Sequence, residues 1–186
     1  MKLTKYIVAL FIITALNSCE TNDYMQPSEL PEATQIGKQT FGVKINESIW
    51  TPFQRHKSNP HFKPMPVVWG RVQGETLRLT VTNQKTCESI SLMVDKVKGE
   101  GKYQFMKYFP KNAIEFTPYA SVYQRYVGEK YGQYPIAQNA ENEVIITHFD
   151  PIQKIYSGTF KVTFQNKDNP MEVFNLKDGR FDVRSE

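Results

Sequence analysis

The chain has 186 residues, with 23 Lys+Arg against 19 Asp+Glu and 13% aromatics. Without Lys2 and Lys5, which fall in a leader, the formal charge drops from +4 to +2, so the basic footprint of a nucleic-acid binder is missing. Aromatic content and mixed charge signs also exclude a disordered chain, and the 168 residues after the leader suit one domain whose core needs no staple.

The leader comes first. Met1 to Lys5 is a short positive segment, and Tyr6 to Leu16 (YIVALFIITAL) is an uncharged run of eleven residues. A transmembrane helix needs about 20 such residues, so the run fits the apolar region of a signal peptide. Leu16-Asn17-Ser18-Cys19 then resembles the bacterial lipobox, with Leu at −3 and Cys at +1. The resemblance implies diacylglycerol on the Cys19 sulfur, cleavage before Cys19 and acylation of the new amine. Two or three acyl chains anchor stably where one binds only marginally. The alternative is an ordinary secretory signal with Cys19 incidental.

The expected division is therefore a signal peptide over 1–18, a lipidated cysteine and flexible tether over 19–38, and a β domain over 39–186. Glu20 to Lys38 contains two prolines and no apolar periodicity, and a flexible chain of that length has an r.m.s. reach of about 24 Å. Glu20 and Asp23 faintly resemble the acidic surface-export signals of Bacteroidota lipoproteins. With Cys19 lipidated, Cys87 is the only thiol left, in a polar turn before a strand, and no internal disulfide forms.

From Thr40 onward, period-2 alternation dominates. Phe41, Val43 and Ile45 form one face of a strand, the Asn46-Glu-Ser48 turn follows, and Ile49-Trp50-Thr51 closes a hairpin. Trp50 is expected to plug one end of the core. Phe53 to Pro66 reads as a Pro-rich loop. Strands are expected at Val67–Val72, Leu77–Val81 and Ile90–Val94, with a Gly99-Glu-Gly101 turn before Tyr103 and Phe105. Thr117 to Gly128 fits either a capped helix or a strand, and its Tyr/Val content favours the strand.

Val144 to Phe149 is apolar on both parities, which predicts a central strand covered on both sides. Ile155 to Phe164 places Tyr156, Gly158, Phe160, Val162 and Phe164 on one face, and Gly158 marks a bulge or a close backbone crossing. Met171–Leu176 and Arg180–Val183 read as two strands joined by a Lys177-Asp178-Gly179 hairpin turn, with glycine at positive φ. The fold class is all-β: one antiparallel sandwich or barrel-like domain of about 9–11 strands.

Phe41-Gly-Val-Lys-Ile-Asn46 with Ile49-Trp50, Gly101-Lys-Tyr103, Val144 to Asp150, Ser157-Gly-Thr-Phe160 and Asp178-Gly-Arg-Phe-Asp182 occur in that order. Together they resemble a family of uncharacterised Bacteroidota lipoproteins, over roughly residues 40–183. One departure is Glu47 where the family usually has Gly, so the tight turn is expected to be made differently. The resemblance implies an anchored envelope domain, an outer-membrane lipoprotein facing the periplasm or the surface. It carries no catalytic residues over.

The chain has no G-x-S-x-G, H-E-x-x-H, P-loop or CxxC motif, so no catalytic residue, cofactor or metal is assigned. His56 and His61 fall in a loop, where spacing fixes no ligand geometry. Glu141 with Glu143, and Asp178 with Asp182, are carboxylate pairs that read more simply as solvated. Seven of the ten tyrosines fall between Tyr103 and Tyr134. Tyr pairs a flat apolar face with a hydroxyl, which suits sugar stacking or a protein contact. The candidate ligand contacts are Tyr119, Tyr123, Tyr131 and Tyr134; Tyr126 is expected in the core, with Tyr131 and Tyr134 at an exposed loop tip. The alternative makes the tyrosines cross-strand pairs over the core.

Three functional readings follow: a non-catalytic, lipid-anchored domain with a binding or structural role; a carbohydrate or small-ligand binder using residues 103–134; and a hydrolase. The expected partners are the membrane, through the acyl chains, and a glycan or an envelope protein. Replacing Cys19 by Ser should move the protein from the detergent phase to the aqueous phase and abolish cleavage before residue 19. A Ser variant that still partitions with membranes contradicts the lipidation reading.

Overall fold

Alternating apolar and polar residues give each strand one buried and one outward face, and such strands pair by burying their apolar faces together. The computed structural model describes residues 27–54, 67–108 and 119–185. Cys19 and the leader, His56, His61, and the tip of the Tyr-rich stretch from Phe109 to Pro118 lie outside the described residues. Eleven strands are described: β1 (Thr40–Ile45), β2 (Ser48–Trp50), β3 (Val68–Gln73), β4 (Thr76–Asn83), β5 (Glu88–Val94), β6 (Gly101–Tyr103), β7 (Val122–Val127), β8 (Lys130–Pro135), β9 (Glu143–Asp150), β10 (Ile155–Gln165) and β11 (Val173–Arg184). They form two antiparallel sheets, ordered β2-β1-β11-β10-β9-β6 and β3-β4-β5-β7-β8. The sheets pack as a sandwich and do not close into a barrel. Among the described residues there is no helix, and Tyr123 and Arg125 lie on strand β7.

Both sheets contribute aromatic and aliphatic side chains to the core between them. The six-stranded sheet contributes Phe41, Phe160, Phe164, Phe174 and Phe181; the five-stranded sheet contributes Leu77, Leu79, Val81, Ile90 and Leu92. Phe41 meets the Phe160 ring at 5.3 Å and the Trp50 ring edge-on at 6.1 Å. Trp50 thus fills one end of the core, as its place in the hairpin suggests. Gly158 combines both sequence readings: the register with β9 shifts there, and an added Cβ would lie 2.3 Å from the Ile145 carbonyl oxygen.

Three local expectations are corrected. Lys177-Asp178-Gly179 is not a hairpin turn, because β11 runs unbroken through it. Asp178 and Gly179 stand opposite the single residue Val43, making a bulge in which Asp178, not Gly179, takes positive φ at 53°. Gly179 is required for a different reason: a Cβ there would sit 2.4 Å from the Phe160 ring. Val144–Phe149 is not a central strand covered on both sides. It lies one strand from the sheet edge, with Val144 and Ile146 buried and Thr147 exposed. The β1–β2 turn is made in the usual two-residue way despite Glu47: Asn46 and Glu47 both hold positive φ, at 46° and 70°. Asn46 anchors the turn by exchanging side-chain hydrogen bonds with the Asn175 N–H and the Val173 carbonyl of β11.

The most consequential contact involves Asp182, on the outward face of β11. Its side chain is buried at 1% exposure and accepts five hydrogen bonds. The Thr34 hydroxyl donates at 2.6 Å, the Ser157 hydroxyl at 2.8 Å, and the N–H groups of Ile36, Gly37 and Lys38 at 3.2, 2.8 and 3.1 Å. These bonds strap residues 34–38 across the outer face of the six-stranded sheet. Gln35 adds a bond to the Thr147 carbonyl, and Arg180 reaches the Pro31 carbonyl. Pro31 lies over Gly42, where a Cβ would be 2.3 Å from the proline ring. Residues 31–38, part of the segment expected as a free tether, thus pack on the sheet.

Burial alone would raise the Asp182 pKa, but the hydrogen bonds from Thr34, Lys38, Ser157 and Gly37 outweigh it and lower the group from 3.8 to about 2. A carboxyl whose pKa falls on folding stabilises the fold above its unfolded pKa, and loses that contribution as pH drops through the folded value. Acid unfolding should therefore show about 2 kcal/mol lost between about pH 4 and pH 2. Asp182→Asn should remove that acid-dependent component and cost about 3 kcal/mol at neutral pH, with faster amide exchange at Ile36, Gly37 and Lys38. An unchanged acid profile in the variant contradicts the strap's role.

Candidate functional site

Strands β7 and β8 form a tight hairpin, with Gly128 at φ 62° in the two-residue turn. Since side chains alternate along a strand, one choice of face places every tyrosine in the hairpin. The interior face carries Tyr123 and Tyr134, at 1% and 2% exposure, with their rings 5.8 Å apart. The outer face carries Tyr126 and Tyr131, at 53% and 47% exposure, paired at 5.0 Å. This corrects the expected burial: Tyr126 is not core, and Tyr134 is not at an exposed tip. No long loop follows Gly128, so period 2 alone decides, and the Tyr123 side meets the core.

Of the four candidate contacts, Tyr131 is on open surface. Tyr119 is half-buried, with its ring 5.8 Å from Tyr108. Tyr123 donates its hydroxyl to Glu88 at 2.5 Å, and Tyr134 donates to Glu172 at 2.9 Å. Burial, reinforced by these carboxylates, pushes both phenols above their ordinary pKa, so they remain neutral donors.

Tyr126 and Tyr131 belong to a larger feature on the outer face of the five-stranded sheet. A groove of about 780 Å³ is lined by Trp69 on β3, Thr80 and Thr82 on β4, Ser89 on β5, and Tyr126 and Tyr131 on β7 and β8. Register explains the arrangement: Trp69 pairs with Thr80, Thr82 with Ser89, and Tyr126 with Tyr131. Trp69 and Tyr126 stand three strands apart, roughly 14 Å at about 4.8 Å per strand. The groove thus has aromatic walls and a hydroxyl floor. Asn83, Gln84, Cys87 and Glu88 close it at the β4–β5 turn. Sequence reading missed Trp69 and the Thr/Ser rows; the available signal was the outward parity of Trp69 between Val68 and Gly70.

A second, smaller opening of about 260 Å³ lies between the sheets, on the other side of the β4–β5 turn. Its centre is Glu88, which accepts from the Trp50 indole at 2.7 Å, the Thr86 hydroxyl at 2.7 Å and the Tyr123 hydroxyl. Arg125 lies beside it with its guanidinium 5.5 Å over the Phe174 ring. Asn83 lines both openings, with its amide held by the Thr51 carbonyl and by the N–H groups of Lys85 and Thr86.

The carboxylates considered for acid–base chemistry do not converge. Glu141 pairs with Lys161 at 2.9 Å, Glu143 with Lys102 at 3.2 Å and Asp178 with Lys44 at 2.7 Å. Lys44 holds the Asp178 carboxyl below its ordinary range, as Lys161 does for Glu141. Asp182 is enclosed by the strap. Among the described residues no three His, Cys, Asp or Glu side chains gather into a metal site, and Cys87 is exposed. No family model, no curated protein and no solved structure matches the chain.

The two tyrosine faces should separate on substitution. Tyr134→Ala should destabilise the domain by about 3–5 kcal/mol, as loss of a buried aromatic side chain does. Tyr126→Ala and Tyr131→Ala should each cost less than about 1 kcal/mol, mainly their mutual ring contact. Denaturant unfolding of the three variants checks the order; a reversed order contradicts the assigned register.

Proposed function

We propose that this chain is a lipid-anchored domain of the bacterial outer membrane that binds a glycan, without catalysis, across the outer face of its five-stranded sheet. The observation that carries the binding reading is the groove walled by Trp69, Tyr126 and Tyr131 over a floor of Thr80, Thr82 and Ser89. Aromatic rings stack on the C–H faces of sugar rings, while threonine, serine and amide groups meet the ring hydroxyls. The described lining contains no Lys or Arg, and its one carboxylate, Glu88, is turned inward to three donors. That chemistry favours a neutral sugar. The anchoring reading rests on the Leu16–Cys19 tetrapeptide and the preceding apolar run.

A glycan array probed with the wild-type full chain, followed by titration of the retained sugar, tests the proposal. The Tyr126→Ala/Tyr131→Ala double variant should bind at least about tenfold more weakly, about 1.4 kcal/mol, while keeping the wild-type thermal midpoint within a few degrees. Retention of no neutral glycan, or equal binding by the double variant, contradicts it.

A further inference from the structure

The smaller opening between the sheets has chemistry of a different kind. It is lined by Ser48 and Trp50 of the β2 hairpin arm, Thr86 and Glu88 at the β4–β5 turn, and Tyr123 and Arg125 on β7. Most of its polar side chains are already committed. Glu88 accepts from Trp50, Thr86 and Tyr123, while the Asn83 and Asn46 amides are bonded to backbone. Two side chains stand apart among the described residues: the Arg125 guanidinium, whose Nε is buried without a hydrogen-bond partner, and the exposed Ser48 hydroxyl, which lines the same opening. Both are donors. Arg125 forms no ion pair among the described residues, and its one contact of note is the Phe174 ring beneath it. Phe174 backs the guanidinium at 5.5 Å, and Arg125 lines the opening.

We infer that this opening is a binding site for the carboxylate of a small ligand, taken by the Arg125 guanidinium with help from Ser48. An unpartnered buried donor is costly, and a planar carboxylate matches the guanidinium edge in two parallel hydrogen bonds. Glu88 is the one anion facing the site. It accepts from three other donors and makes no direct bond to Arg125 among the described residues, and the Arg125 charge offsets its field. At about 260 Å³ the opening falls below the range of drug-sized pockets, which fits a single acidic sugar or hydroxy acid. The inference does not depend on the glycan reading of the groove. The two openings do meet at Asn83 and Glu88, so a neutral chain in one and an acidic residue in the other are compatible.

Nuclear magnetic resonance of the full chain with ¹⁵N-labelled arginine tests it, with D-galacturonate as the probe and D-galactose and inorganic phosphate as comparators. Galacturonate should shift the Arg125 Nε–H resonance saturably, with no comparable shift from galactose. Arg125→Lys keeps the charge but loses the paired donors, and should bind at least about tenfold more weakly. Ser48→Ala, an exposed change that leaves the fold intact, should weaken binding less. Absence of a saturable shift by about 10 mM overturns the proposal, as does equal binding by Arg125→Lys. Tighter binding of galactose or phosphate than of galacturonate overturns the carboxylate assignment.

Discussion

A buried carboxylate on the last strand, Asp182, joins the entry of the chain to its end. An uncompensated charge at 1% exposure would be strongly unfavourable, so Asp182 tolerates burial only because five donors surround it. Four of those donors come from Thr34, Ile36, Gly37 and Lys38. The strap is thus held on the outer face of the six-stranded sheet, and the carboxylate and the strap each require the other. Pro31 over Gly42 and Arg180 on the Pro31 carbonyl extend that hold toward the N-terminus.

This arrangement gives the sandwich two distinct outer faces. One is covered by the strap; the other, five strands wide, carries the groove with Trp69, Tyr126 and Tyr131. Only seven residues lie between Cys19 and Pro27, eight Cα steps and at most about 28 Å of chain. Under the proposed anchoring, a tether that short turns the strapped face toward the lipid and the groove away from it. The opening at Arg125 lies between the faces, at the end filled by Trp50, where a ligand on the groove side can reach it.

Fold class and most strands were legible because alternation is a strong signal: Leu77, Leu79 and Val81, or Phe160, Val162 and Phe164, admit one period. What alternation does not say is which parity faces in. For β7 and β8 both parities carry tyrosines, so the sequence alone does not reveal that Tyr126 faces out and Tyr134 faces in. Asp178-Gly179 has the composition of a hairpin turn, yet it sits in a strand because the Phe160 ring needs the missing Cβ of Gly179 and Lys44 pairs with Asp178. The groove was hidden for a related reason. Its residues come from five strands, and only sheet order and register set Trp69, Thr82, Ser89 and Tyr131 side by side. Asp182 and Thr34 are 148 positions apart, beyond any local pattern.

The central claim is that, under the proposed anchoring and binding, the strapped face and the groove face stand back to back. Cys87 lies exposed at the rim of the groove and is the only thiol left once Cys19 is acylated. A spin label on Cys87, in acylated protein reconstituted into vesicles, reports that geometry directly. The account predicts strong relaxation by a nickel chelate in the aqueous phase and little by nickel-bearing lipids at the bilayer surface. The opposite pattern, with the label relaxed by the lipid-bound nickel, would place the groove against the membrane and contradict it.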